Sequence, residues 1–142
     1  MRWGACLVAA LTEIPGSSDV VDRGFVTYSD DAKRAMLGVP AATLKRHGAV
    51  SAQTAKAMAA GALKNSNADL AVSITGIAGP GGGSKQKPVG LVYFAAASRD
   101  GRRIARKRLY GEIGRRRVRL RSVAEALALL QLLSRPARRK GS

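Results

Sequence analysis

The sequence predicts a single α/β domain, and three observations lead there. The chain has 142 residues, enough for one α/β core and too few for two ordinary domains. Its apolar content of 46% is built from Ala, Val, Leu and Ile, with aromatics at only 4%, so the core is aliphatic and helix-rich. Segments with helical periodicity are interspersed with short β-branched or continuously apolar runs bounded by Gly, Pro, Asn and Asp, which read as strands.

The elements follow in order. Trp3 to Ile14 reads as a helix, with Leu7, Leu11 and Ile14 at helical spacing and Pro15-Gly16 as its stop. Ser17-Ser18-Asp19 supplies a turn, and Gly24 to Tyr28 is β-branched and aromatic enough for a strand. Ser29 or Asp30 can cap a short helix that runs to about Leu37 and ends at Gly38. Pro40 opens a helical turn through Leu44 that stops near His47-Gly48. Ser51 then caps an Ala-rich helix to Lys64 whose apolar stripe is Ala55, Met58, Ala59, Ala62 and Leu63. Asp69 to Ile77 reads as a strand buried on both faces. A glycine-rich loop spans Gly76 to Gly90, and Val89 to Ala97 is a second strand. Asp100-Gly101 is a hairpin turn into a third strand, Arg102 to Tyr110, carrying Ile104 and Leu109. A helix from about Arg115 to Leu133 closes the core with Val123, Leu127, Leu130 and Leu133. The domain is thus expected over 1–134, with 135–142 as a disordered basic tail. No internal repeat is present.

Composition excludes several classes of function. No apolar run reaches about 18 residues, so no segment reads as a membrane span. Met1 to Leu11 imitates a signal peptide, but Thr12 and Glu13 end the run without a small-residue cleavage site, and a cytoplasmic location is expected. Cys6 is the only cysteine and His47 the only histidine, which excludes an internal disulfide and a zinc site with several Cys or His ligands. Catalysis would have to use hydroxyls, amines, carboxylates or backbone. Cys6 itself reads as a small buried hydrophobe, and His47 as a residue capping a helix end.

The formal charge is +16, and from Arg99 onward fifteen Lys/Arg face three acids. Two readings stay open: phosphate contacts with a nucleic acid, or a solvated arginine face around an enzyme with an anionic substrate. Aromatics interleaved with basic residues are scarce, Tyr110 alone qualifying.

Two constellations could carry chemistry. The loop Thr75 to Ser84 follows a buried strand and can present backbone N–H groups to an anion. It is neither a P-loop nor a dinucleotide fingerprint, because a strand rather than a helix follows its glycines. A plain flexible hairpin connection is the alternative. The second constellation is Tyr28 at a strand end and Lys33 in the first turns of the next helix. A partly desolvated amine beside a phenol can activate a hydroxyl where no histidine is available. The alternative is a strand-edge Tyr and a solvated Lys. In the functional reading, both side chains share one crevice with the glycine loop.

Together these residues resemble the CinA C-terminal domain family. The resemblance is carried by Ile14-Pro15-Gly16-Ser17-Ser18, Asp22-Arg23-Gly24-Phe25-Val26-Thr27-Tyr28-Ser29 with Lys33, His47-Gly48-Ala49-Val50-Ser51, and Thr75-Gly76-Ile77-Ala78-Gly79-Pro80 with Pro88-Val89-Gly90. These segments stand in the family's order and spacing from about Leu7 to Leu133. The resemblance implies a three-layer α/β/α sandwich with a mixed sheet. It implies hydrolysis of the carboxamide of nicotinamide mononucleotide to nicotinate mononucleotide and ammonia, a step in pyridine-nucleotide recycling. No cofactor and no metal are implied. The catalytic residues it implies are a serine nucleophile with Tyr28 and Lys33. Thr75, Gly76, Ala78, Gly79 and Pro80 would lie against the nucleotide, with Arg115 near it, and homo-oligomers are usual in the family.

The chain departs from the family's pattern at two places. The family's first helix, first strand and Glu-Ser-Cys-Thr-Gly-Gly segment would fall before Leu7, where this chain reads Met1-Arg2-Trp3-Gly4-Ala5 and only Gly4 matches. The catalytic serine then has no counterpart, and the flank of a buried parallel strand would be exposed. A reading frame started at an internal methionine is the favoured explanation, with gene decay and a partner-supplied segment as alternatives. The second departure is Ile113-Gly114-Arg115, where the family tends to Gly-Asp-Arg and only Arg115 fits. The competing expectations are a catalytically inactive family member and a basic nucleic-acid-binding module.

Overall fold

The computed structural model describes residues 3–13 and 15–135. Helix α1 (Trp3–Thr12) ends where the Thr12 hydroxyl donates back to the Val8 carbonyl at 2.8 Å, and a 3-10 turn occupies Ser17–Asp19. Helix α2 (Asp30–Leu37) is capped by the Ser29 hydroxyl, which accepts the Ala32 N–H at 3.0 Å. Helix α3 (Ala41–His47) follows Pro40, and α4 (Ala52–Lys64) starts where Ser51 accepts the Thr54 N–H. Strands β1 (Leu70–Gly76), β2 (Leu91–Ser98) and β3 (Arg103–Leu109) come next, and α5 (Arg115–Ser134) closes the chain. Ile14 and the tail beyond Arg135 lie outside the described residues.

The three strands form one sheet in the order β1-β2-β3. α4 covers one face, with α2 and α3 packed against it, while α5 and α1 cover the other. The α/β/α layering matches expectation. The sheet differs in one respect: both pairings are antiparallel, so these three strands are not mixed. A parallel pairing needs a crossover from an upstream strand, and the upstream candidate, Gly24 to Tyr28, forms no ladder. It belongs to no helix and no ladder, with Val26 and Tyr28 exposed. Its β-branched composition fits a strand, but no neighbouring strand lies beside it.

The pleat sorts the core. Val72 and Ile74 face α1 and α5, where Phe94 and Leu129 are fully buried with Val92 and Val118. Burying each of the larger side chains contributes about 1.5–3 kcal/mol. Ala71 faces the other way, where Ala95 and Ala97 meet Ala55, Ala59 and Leu63 of α4, and such small side chains let the helix sit close. Ser73 and Thr75 point to this same side. Their hydroxyls donate to the carbonyls of Ala55 at 2.6 Å and Ala49 at 2.7 Å, so polar groups inside an apolar layer are satisfied.

Some expected core positions fall one place off. On α5 the fully buried line is Val118, Ser122, Ala126, Leu129 and Leu133. Val123 and Leu127 only flank it and Leu130 faces a cavity. Separately, on β3 the two apolar residues stand at opposite parities, so Ile104 packs on the core and Leu109 is 62% exposed. Cys6 is half-buried rather than enclosed.

Candidate functional site

Lys33 is positioned by the start of α2. Asp30 and Asp31 sit in the helix's first turn, where acids complement the macrodipole, and Lys33 follows on the inner face. It is 7% exposed, and its ammonium donates to the Thr27 carbonyl at 2.9 Å. Burial pulls its pKa below the ordinary lysine value, while the nearby Asp30 carboxylate works against that shift. The solvated-lysine alternative is therefore not what the fold contains. Tyr28 is 65% exposed and carries no hydrogen bond to Lys33 among the described residues.

A cavity of about 1110 Å³ brings the two side chains to one space. Tyr28 and Lys33 line it from one side, and Thr75 and Gly76, at the end of β1, from the other. The remaining expected residues lie just past the strand. Ala78 is buried in the core, and Pro80 is exposed. Gly79 adopts φ 82°, in the left-handed region that favours glycine. The Arg115 guanidinium, in the first turn of α5, donates to the Gly79 carbonyl at 3.2 Å. The structure thus places Tyr28, Lys33, Thr75 and Gly76 around one cavity. Ala78, Gly79, Pro80 and Arg115 form an adjoining cluster held by the Arg115 contact.

The glycine loop is fastened rather than free. Ser84 N–H donates to the Lys87 carbonyl at 2.8 Å, and the Lys87 N–H returns to the Ser84 hydroxyl at 3.1 Å. The Lys87 ammonium then donates to the His47 carbonyl at 2.6 Å, a lysine on the C-terminal end of α3. Lys87 was not singled out from the sequence; a lysine in a loop signals nothing until a helix end is beside it. His47 contributes its carbonyl here, not its ring.

Much of the basic C-terminal third is structural. Arg99 donates to the carbonyls of Leu63, Ser66 and Ala68. Arg102 reaches the carbonyl of Leu133 and the carboxylate of Asp100. Arg106 and Arg108 both pair with Glu125 at 3.0 Å. No group of three or more His, Cys, Asp or Glu side chains able to hold a metal occurs among the described residues. No described helix is long and apolar enough to cross a membrane.

Comparison with known proteins locates this arrangement. The chain is 50% identical over 127 residues to the nicotinamide-nucleotide amidohydrolase PncC of Escherichia coli K12, covering 89% of this chain and 76% of that protein. It is 49% identical over 137 residues to a CinA-like protein of Akkermansia muciniphila, covering 96% of this chain but 32% of that one. A putative competence-damage inducible protein of Caldicellulosiruptor bescii is 60% identical over 97 residues, covering 68% of this chain and 24% of that protein. The chain thus spans about a quarter to a third of several relatives' lengths. Among solved structures, the competence/damage inducible protein CihA of Agrobacterium tumefaciens superposes with a TM-score of 0.93 at 56% identity, over 94% of this chain and 81% of that one. A CinA superfamily protein of Escherichia coli does so with a TM-score of 0.85 at 36% identity, over 92% and 76% of the two chains. The family model for the CinA C-terminal domain matches residues 4–133, and the chain belongs to that family.

Proposed function

We propose that this domain is a nicotinamide-nucleotide amidohydrolase, converting the carboxamide of nicotinamide mononucleotide and water to nicotinate mononucleotide and ammonia. The observation that carries the reading is the buried amine of Lys33, its pKa lowered by desolvation, on the same cavity as Tyr28, Thr75 and Gly76. Identity of 50% to a protein of that name supports it.

In this reading the Lys33 amine, in its deprotonated form, takes the proton of a serine hydroxyl, and the serine oxygen attacks the carboxamide carbon. Backbone N–H groups between Thr75 and Pro80 receive the oxyanion that forms. The C–N bond then breaks, ammonia leaves with a proton returned by Lys33 or relayed by Tyr28, and water hydrolyses the acyl ester to free acid and serine. Arg115, by holding the Gly79 carbonyl, keeps those donors in place and faces the phosphate. A cytoplasmic, homo-oligomeric enzyme without a cofactor belongs to the same proposal and rests on family membership.

The family resemblance puts the serine in a Glu-Ser-Cys-Thr-Gly-Gly segment that Met1 to Ala5 do not supply. Ser29 and Ser84 are each engaged with backbone N–H groups instead. The test is ammonia release from nicotinamide mononucleotide, comparing the 142 residues with a version extended upstream by that segment. The expected result is negligible turnover without the segment, turnover with it, and its loss on Lys33→Ala. Undiminished turnover in the extended Lys33→Ala protein would overturn the mechanism.

A further inference from the structure

Between α3 and α4 the chain crosses from Gly48 to Ser51 with no helix or strand of its own. Three successive carbonyls at this crossing are taken by side chains from three different places. The His47 carbonyl accepts the Lys87 ammonium at 2.6 Å. The Gly48 carbonyl accepts the Thr54 hydroxyl at 2.6 Å and the Ser51 hydroxyl at 3.0 Å. The Ala49 carbonyl accepts the Thr75 hydroxyl at 2.7 Å. Carbonyls inside a fold need such partners when no ladder supplies them. The crossing also belongs to the site, because Ala49, Val50 and Thr75 line the cavity that holds Lys33 and Tyr28.

Lys87 differs from the other donors at this joint. Ser51 and Thr54 belong to the start of α4 and Thr75 to the end of β1, two elements packed directly on one another. Lys87 alone comes from the glycine loop, and it alone is charged, which makes its hydrogen bond the stronger kind. Room is left for it: a Cβ on Gly48 would stand 2.8 Å from the Lys87 Nζ, and Gly48 has φ 78°. Among the described residues, two hydrogen bonds tie the segment from Gly79 to Lys87 to other elements. The Arg115 guanidinium holds the Gly79 carbonyl at one end, and the Lys87 ammonium reaches α3 from the other. The turn after β1 therefore runs between two anchored points, the Ala49–Thr75 bond and the Arg115–Gly79 bond.

We infer that Lys87 is a positioning residue for the hydrolysis. By holding the His47 carbonyl it fixes the wall from Gly48 to Val50, and through the Ala49–Thr75 bond it sets where the oxyanion-receiving turn stands against Lys33. Lys87 itself does not line the cavity, so it acts through this joint and touches no reacting atom. The inference rests on the amidohydrolase reading and adds a residue to it. A displacement of about 1 Å caused away from the chemistry can cost on the order of 100-fold in rate. Donors that meet only the oxyanion act in the transition state, so the loss falls on kcat and not on KM.

The upstream-extended protein carries the kinetic test, as parent, Lys87→Met, Lys87→Arg and Lys85→Met. Lys87→Met is expected to lower kcat for nicotinamide mononucleotide about 10- to 100-fold with KM within about 2-fold, while circular dichroism at the assay temperature stays that of the parent. Lys87→Arg keeps a charged donor and is expected to recover most of the lost rate. Lys85→Met removes an exposed charge from the same loop and is expected to keep the parent rate. In the 142-residue chain, the Gly48 and Ser84 amides, bonded to the Leu44 and Lys87 carbonyls, are expected to exchange at least about 10-fold faster in Lys87→Met. The Ile77 and Gly90 amides, which bond to Leu91 and Ile77, keep their protection. The inference is overturned if Lys87→Met retains the parent's kcat, if Lys87→Arg is as slow as Lys87→Met, or if Lys85→Met loses as much, since net charge is then the cause. A rise in KM that accounts for the whole loss also overturns it. A parent without turnover defeats the amidohydrolase reading alone, and the joint is then decided by exchange: unchanged rates at Gly48 and Ser84 overturn it.

Discussion

The ammonium of Lys33 donates to the carbonyl of Thr27 at 2.9 Å, so the residue next to Tyr28 fixes the amine that shares its cavity. Folding lowers the pKa of Lys33 from its ordinary 10.5. Between the folded and unfolded values the unfolded chain therefore binds more protons, and stability rises with pH across that window. Below the folded value the cost of burying the charge is paid in full. Lys33→Met keeps the length and removes the charge. Thermal unfolding at pH 7 is expected to give a midpoint no lower than the parent's, with a flatter pH dependence on the approach to 10.5. Turnover of the extended protein is expected to fall about 10²-fold or more. A clearly lower midpoint would mean the Thr27 hydrogen bond outweighs the desolvation.

Arg115 holds the Gly79 carbonyl at 3.2 Å, at the turn where the chain adopts positive φ. A hydrogen bond from a charged donor is worth about 1.5–3 kcal/mol. Arg115→Ala is expected to weaken nicotinamide mononucleotide binding at least about 10-fold, measured by calorimetry, and to lower the unfolding midpoint by only several degrees, leaving the protein folded at the temperature of the titration. Equal loss of binding and of fold would make the residue structural only.

Asp100 sits in the β2–β3 turn, where the Ser98 hydroxyl and then the Arg102 guanidinium hold its pKa down to about 2, from an ordinary 3.8. A carboxylate with a depressed folded pKa contributes stability that is complete above the unfolded value and is lost as pH falls through the folded one. The turn is therefore expected to stay intact at pH 4 and to loosen as pH falls toward 2. Proton-exchange and carboxyl shifts followed by nuclear magnetic resonance at Ser98, Asp100 and Arg102 read this directly. A midpoint near 4 would contradict it.

Gly61 lies inside α4, and a Cβ there would overlap the Leu37 carbonyl at the end of α2. Helix propensity alone favours alanine by about 1 kcal/mol. Overlap with backbone is the larger effect, because forcing two packed helices apart costs about 1–3 kcal/mol or more. Gly61→Ala is expected to lower the unfolding midpoint by several degrees, and a rise would show that α2 yields freely. Because α2 carries Lys33, the same substitution is expected to raise that lysine's pKa toward its solvated value.

The parts of this fold that depend on local chemistry were legible in the sequence. Ser29 and Ser51 announced α2 and α4 through their capping hydroxyls, and Gly38 announced the end of α2. Asp100-Gly101 announced the turn into β3. What depends on neighbours was not legible. Gly24 to Tyr28 has strand composition, but a strand is a relation to an adjacent backbone, and none lies beside it. Ile104 and Leu109 stand at opposite parities of one strand, and only the register against β2 decides that Ile104 faces the core and Leu109 the outside. At the site, Tyr28 and Lys33 were legible as a pair five positions apart. The burial of Lys33 was not, since it comes from the chain before α2 folding back across its ammonium. Lys87 went unnoticed for the same reason.

The contact between the Lys87 ammonium and the main-chain oxygen of His47 leaves the only imidazole in the sequence beside the point where the loop is tied down, with no hydrogen bond to its ring among the described residues. One proton spectrum therefore carries a single C2–H resonance, and that line reports from the knot itself. Opening of the glycine segment, by a nucleotide or by heat, becomes visible without any label being attached.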